Sequence, residues 1–189
     1  RNEIIPILTK AHCNSGGCHG KAEGQNGFEL SIFGFDVESD YAALMKNGKG
    51  RRISLTQPVT SLLLLKGTSQ MPHGGGRKIE EGSYRYHRVL RWIREGARLD
   101  PEDSEAGQIV KIDVEPREQI LLAGGTQQLR VTAVDSSGVR RCVTVEAEYE
   151  SNATAIADVD HQGLIQASDI PGEAAILVRY LGHVTSCRV

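Results

Sequence analysis

The segment Cys13-Asn14-Ser15-Gly16-Gly17-Cys18-His19-Gly20 places two thiols and an imidazole close together in a stretch otherwise made of Gly, Asn and Ser. Glycine and polar residues continue to Gly34, so residues 13–34 read as loop with little regular structure. Working outward, the flanks are apolar at helical spacing. Upstream, Ile4, Ile5, Leu8 and Ala11 or His12 recur on one face, and Asn2 is placed to cap a helix running through Lys10, with Pro6 tolerated near its first turn. Downstream, Ser39 or Asp40 caps a short helix ending near Asn47-Gly48. Pro58 and Thr60 open another over Ser61 to Lys66, stopped by Gly67. Gln70 to Lys78 contains Pro72 and three successive glycines and must be loop. Ser83 to Glu95 is the longest amphipathic helix, with Tyr86, Val89, Leu90, Ile93 and Ala97 on one face and Gly96 closing it. It is suited to packing against the first helix, with Trp92 in the core.

Further along, the apolar period changes from helical to alternating. Leu129, Val131 and Ala133 alternate with Arg130 and Thr132, and Ser136-Ser137-Gly138 turns the chain. Val143, Val145, Ala147 and Tyr149 alternate with Thr144, Glu146 and Glu148. Residues 156–159, 164–167, 174–180 and 184–189 supply further short strands, separated by turn signals at Asp160 to Gly163 and Ile170-Pro171-Gly172. About seven short strands over some 80 residues predict an antiparallel sandwich. The reading is therefore two domains: residues 1–100 all-α, a polar acidic linker at 101–108, and residues 109–189 all-β.

Charge divides at the same place. The chain has a formal net charge of −2. Residues 1–100 hold 15 Lys/Arg against 10 Asp/Glu, a net of +5, and residues 101–189 hold 7 against 14, a net of −7. No dense basic stripe with interleaved aromatics is present, which argues against a nucleic-acid partner. The longest aliphatic run, Leu62 to Leu65, is too short to cross a bilayer. A start at Arg1 instead of Met, and a strand-like run that stops at Val189, suggest a processed piece of a longer, multidomain exported protein.

The two thiols and the imidazole match what covalent haem attachment needs: two sulfurs to add across two vinyl groups, and a histidine beside the second to ligate iron. Four residues separate the cysteines where two are usual, and Gly16-Gly17 can bulge outward to absorb the difference. A macrocycle supplies buried apolar area and so permits long glycine-rich loops. Iron then takes a second axial ligand or keeps an open site, and Ser69-Gln70-Met71-Pro72-His73 offers both a thioether and an imidazole. Met71, before proline, is narrowly preferred and would raise the potential. His73 competes, since the glycines after it remove obstruction; in the third arrangement both merely line the pocket. Arg51 and Arg52, in a basic run with Lys46 and Lys49, either form a solvated loop, contact haem propionates or steer an acidic redox partner. His12 and His87 read as surface or packing residues. A zinc site from Cys13, Cys18, His19 and His12 lacks a second cysteine pair, a plain Cys13–Cys18 disulfide is a further alternative, and a nucleophilic cysteine lacks an orienting carboxylate.

Residues 3–98 resemble the cytochrome c domain often found in planctomycete proteins. The likeness lies in the Ile-Leu run, Cys18-His19-Gly20, the helix Leu63-Leu64-Leu65-Lys66, Met71-Pro72-His73-Gly74-Gly75-Gly76, and Trp92-Ile93-Arg94-Glu95-Gly96-Ala97. Residues 109–189 are similar to the bacterial immunoglobulin-like group 2 domain, through Thr126 to Asp135, residues 148–152, residues 156–160, Gly163-Leu164-Ile165 and Gly172-Glu173-Ala174, with Tyr149 where that family commonly has Trp. The resemblance implies a cytochrome c-like fold followed by an immunoglobulin-like sandwich. It also implies haem c on Cys13 and Cys18, and His19 as proximal ligand. The expected function is electron transfer to a redox partner protein, as a carrier more than a catalyst, in the periplasm or at the cell surface, with the sandwich as spacer or docking module. The competing functions are a haem sensor or peroxidase-like enzyme with a displaceable distal ligand, and an adhesive or carbohydrate-binding module whose cysteine pair is structural. In the second half, Cys142 falls on the outward phase while Cys187 has no fixed phase, so a bridge between them stays open. His161 and His183 join no acid, base or nucleophile set, and Asp158 with Asp160 is a weak calcium candidate.

Overall fold

Four short segments of the first half wind into α-helix in the computed structural model, which describes residues 1–100 and 107–189: α1 (Ile4–Lys10), α2 (Val37–Met45), α3 (Leu62–Gly67) and α4 (Tyr84–Arg94). Helix α1 starts without a side-chain cap, contrary to the role predicted for Asn2. Its entry is held by tertiary charge instead: Glu3 pairs with Arg88, and with Arg91 at 2.8 Å, both on α4. Helix α2 begins earlier than predicted because Asp36 caps it, Oδ1 accepting from the Ser39 amide at 2.9 Å. Asp40 is only 1% exposed, and its carboxylate accepts from the Ser31 amide and hydroxyl at 2.5 and 2.8 Å. Ser83 caps α4, accepting from the Tyr86 amide at 3.3 Å, and Gly96, with φ +96°, follows its end. Helices α1 and α4 pack together, burying Ile4, Ile5 and Leu8 of one and Val89, Leu90 and Ile93 of the other. Trp92 does not join that core. It is half-buried, and its indole N–H donates to the Arg98 carbonyl at 2.9 Å.

The predicted all-α, cytochrome c-like first domain is not what forms. The helices have 7, 9, 6 and 11 residues, and short 3-10 turns and loops make up most of the rest. The cause is local: His12, Asn26, Phe33, Lys49 and Ser69 all adopt the left-handed conformation, which a right-handed helix cannot continue through.

Among the described residues more lie in strands than in α-helices, and here too the predicted two-layer immunoglobulin-like sandwich is corrected. Among the described residues there are nine strands: β1 (Ile109–Glu115), β2 (Thr126–Gln128), β3 (Arg130–Asp135), β4 (Arg140–Cys142), β5 (Glu148–Ser151), β6 (Ala157–Val159), β7 (Leu164–Ala167), β8 (Ala175–Tyr180) and β9 (His183–Arg188). They form three small antiparallel sheets, ordered β1-β3-β4, β2-β7-β6 and β5-β8-β9. Two breaks explain the partition. At Leu129, which is 1% exposed, the amide donates to the Gly163 carbonyl at 2.9 Å, so the chain leaves β2 in one sheet and enters β3 in another. The alternating run 143–149 does not extend as one strand, because the amides of Glu146 and Ala147 both bond the Val143 carbonyl, at 2.9 and 2.8 Å. That turn throws Val145 outward, 69% exposed.

The sheets share an aliphatic core in which Val114, Val131, Val143, Ile165, Ile176 and Val178 are fully buried. Tyr149 packs on Gly163, where any Cβ would meet its ring at 2.7 Å, and its hydroxyl donates to the Thr144 carbonyl at 2.7 Å. Cys142 is exposed, Cys187 is buried, and both are free thiols.

The chain divides into two compact units, Arg1–Pro101 and Glu102–Val189. Of the predicted linker at 101–108, residues 101–106 lie outside the described residues. Among the described residues no helix is long and apolar enough to cross a membrane.

Candidate functional site

The loop from Cys13 to Gly20 is folded onto the end of α1. The Cys13 amide donates to the Leu8 carbonyl at 2.8 Å, and the His19 amide donates back to the Cys13 carbonyl at 2.9 Å. Between them the amides of Cys18 and Gly20 bond the Ser15 carbonyl at 2.9 and 3.0 Å, leaving Gly16 and Gly17 exposed at the tip. The two extra residues are thus accommodated outward, and both cysteines are free. Burial, together with the neighbouring Cys18, pushes the Cys13 thiol up to about 12, so it remains protonated at neutral pH. Asn14, 1% exposed, donates to the Thr9 hydroxyl at 2.8 Å, while its Oδ1 is buried with no hydrogen-bond partner.

His19 is oriented from a second turn. Asn26 and Gly27 have φ of +52° and +69°, and the amides and carbonyls of Gln25 and Phe28 bond each other at 3.0 Å in both directions. An Asn-Gly pair in this position favours such a tight turn, so the sequence held a signal that its reading as plain loop passed over. The Phe28 carbonyl also lies 2.8 Å from His19 Nδ1, and the Phe28 ring centre lies 4.5 Å from the imidazole's. Nδ1 therefore carries the proton, and Nε2 is the nitrogen left for a ligand. Burial, aided by His73 and Arg52 and opposed by the Phe28 carbonyl, lowers the His19 pKa and favours the neutral, ligating form.

Arg52 does not stand free for a propionate. It is buried, donating to the Ala43 and Gly27 carbonyls at 2.7 Å each, with its guanidinium 4.5 Å from the Phe28 ring centre. It braces the turn that holds His19, whereas Arg51 is exposed.

The two distal candidates separate clearly. Met71 is 38% exposed, and its amide donates to the Leu65 carbonyl at 3.0 Å. His73 lies with its ring 8° from parallel to that of His19, centres 6.3 Å apart. Its Nδ1 is 2.8 Å from the Gly76 carbonyl, and the Gly76 amide donates to the His73 carbonyl at 3.0 Å. Glycine suits both positions here: Gly76 has φ +68°, and a Cβ at Gly75 would come within 3.2 Å of the His73 ring. His12 and His87 are exposed.

Among the described residues no three His, Cys, Asp or Glu side chains converge to hold a metal ion, as the zinc alternative requires. A haem iron asks for only two protein ligands. The first unit thus brings together two free thiols, one imidazole whose Nδ1 bonds a carbonyl, and a second imidazole whose ring centre lies 6.3 Å away. In the other unit Asp160 Oδ1 is taken up by the amides of Gln162 and Leu164, at 2.7 and 2.9 Å. No family model matches this chain, and no curated protein matches it.

Proposed function

We propose that residues 1–100 form an electron-transfer module carrying one covalently attached c-type haem. Cys13 and Cys18 are its thioether donors and His19 its proximal iron ligand. The observation that carries this reading is the Nδ1 bond of His19 to the Phe28 carbonyl, which frees Nε2 on a loop that also carries two unpaired thiols. Bound haem would supply a reversible one-electron iron couple. Cys13 and Cys18 would hold the haem through thioether bonds, each formed by adding S–H across a vinyl group, sulfur to one carbon and hydrogen to the other, with no net oxidation or reduction. The Phe28 carbonyl fixes the imidazole and raises its basicity as a ligand. Arg52 acts as a positioning residue through Phe28.

The reading brings with it an exported location, periplasmic or at the cell surface, where thioethers form and thiols meet an oxidising environment. Its partner is a redox protein. The acidic second unit serves as spacer or docking module within a larger assembly.

The test is the chain produced in a bacterial periplasm together with cytochrome c maturation proteins. After denaturation and acid–acetone extraction, the expected result is one haem per chain by mass and by pyridine haemochrome, lost in the Cys13→Ala, Cys18→Ala double variant. Matured protein without haem, or with Cys13 and Cys18 joined to each other or to zinc, would overturn the assignment.

A further inference from the structure

We infer that His73, and not Met71, is the second axial ligand, so that the iron is held between two imidazoles. This rests on the haem reading above. Two imidazoles bound on opposite sides of one metal ion, each at about 2 Å, keep their ring centres about 6 Å apart. His19 and His73 stand at 6.3 Å with planes 8° apart. Each ring spends Nδ1 on a backbone carbonyl, Phe28 for one and Gly76 for the other, both at 2.8 Å. Neither Nε2 has a partner among the described residues. Such pairing of Nδ1 with a carbonyl is how proteins fix the tautomer of a ligating histidine.

The loop is built to present His73 and not the thioether. Lys66 Nζ donates to the Pro72 carbonyl at 2.9 Å and the Met71 amide bonds Leu65, so the backbone on either side of the Met71-Pro72 bond is tied to α3. Gly75 then passes close to the His73 ring, and Gly76, with φ +68°, turns the chain after it. Met71 stays outside, exposed.

Two imidazoles leave iron no open position and give a lower potential than a histidine–thioether pair. The centre is then a carrier, and neither a peroxidase-like site nor a gas sensor. Ferric protein, full length and matured as above, is examined by electron paramagnetic resonance and near-infrared circular dichroism. A low-spin bis-imidazole signal without a sulfur-to-iron band is expected. His73→Ala should convert most of the iron to high spin, and Met71→Leu should leave the spectra unchanged. A sulfur-to-iron band in the unsubstituted protein, its loss in Met71→Leu, or high-spin iron before any substitution overturns the inference while the covalent haem stands. Protein that carries no haem overturns both. If the His73→Ala chain does not accumulate, the unsubstituted spectra and the Met71→Leu comparison decide.

Discussion

Residues 107–189 and residues 1–100 both bury aliphatic side chains, but they differ in what is left over. In the β unit, Val114, Val131, Ile165, Ile176 and Val178 close on one another, and the carboxylates of Asp135 and Asp160 are taken up by turn amides. Asp135 is typical, its Oδ1 accepting from the amides of Ser137 and Val139 at 2.9 Å each. The first unit gathers an orphaned Asn14 oxygen, two free thiols and two imidazoles with an open Nε2 on loops 13–20 and 69–76, whereas the two free thiols of the β unit lie on different strands, Cys142 exposed on β4 and Cys187 buried on β9. Buried polar groups usually find partners inside the protein, because leaving one without costs about 1–3 kcal/mol. Unspent groups gathered on two loops therefore mark where the proposed haem would be held.

The comparison can be broken first at the β core. Ile176 stands opposite Ser151 and Cys187 in its two strand pairings and is fully buried. Ile176→Ala should cost about 2–5 kcal/mol, read from urea unfolding by far-ultraviolet circular dichroism. A loss below about 1 kcal/mol would mean that this core relaxes freely and is not closed on itself. Trp92, the one tryptophan of the chain, reports the helical unit in the same experiment, and its fluorescence transition should stay in place.

A smaller effect sharpens the other side. Arg52→Ala removes two charge-assisted bonds to backbone carbonyls and should destabilise residues 1–100 by about 2–4 kcal/mol, while the exposed Arg51→Ala should stay within about 0.5 kcal/mol. Equal effects at the two positions would remove Arg52 from its bracing role. Trp92 fluorescence during unfolding measures both.

The smallest effect concerns acid. Hydrogen bonds, first from the Ser137 hydroxyl and then from the amides of Val139 and Ser137, hold the Asp135 carboxyl below its ordinary value despite desolvation. A lowered carboxylate contributes stability above the unfolded value that is lost as pH falls through the folded one, so the loss begins below about pH 4. Asp40 in the helical unit has the opposite sign. Burial raises it against the Ser31 hydrogen bonds, so its contribution is largest in acid and declines as pH rises through the carboxylate range. Asp135→Asn should flatten the acid limb of the β unit and leave the Trp92 transition's pH dependence alone. An unchanged acid limb would show that other carboxylates carry it.

How much of this was legible beforehand differs by residue. The apolar spacing of residues 4–8 and 86–97, the change of period before the strands, and the Cys18-His19 pair are local facts, and a linear pattern records them. Asp36 as the cap of α2 and Asn26-Gly27 as a turn were equally local signals, the first masked by Ser39 and Asp40 close by and the second by the run of Gly and polar residues around it. The all-α and two-sheet expectations failed because single positions overrode the pattern: left-handed residues interrupt the helices, and the Leu129 amide and the Val143 carbonyl split the strands.

By itself the sequence determined which segments are apolar on one face, where the chain turns, and which sulfurs and imidazoles are available for chemistry. Tertiary structure alone decided that Arg52 would be spent on the Ala43 and Gly27 carbonyls, and that the His73 ring would lie 6.3 Å from that of His19 while Met71 stays exposed. The reason is physical. Periodicity and turn propensity follow from neighbours along the chain, whereas the partner of a carbonyl and the spacing of two rings are set only once distant segments pack.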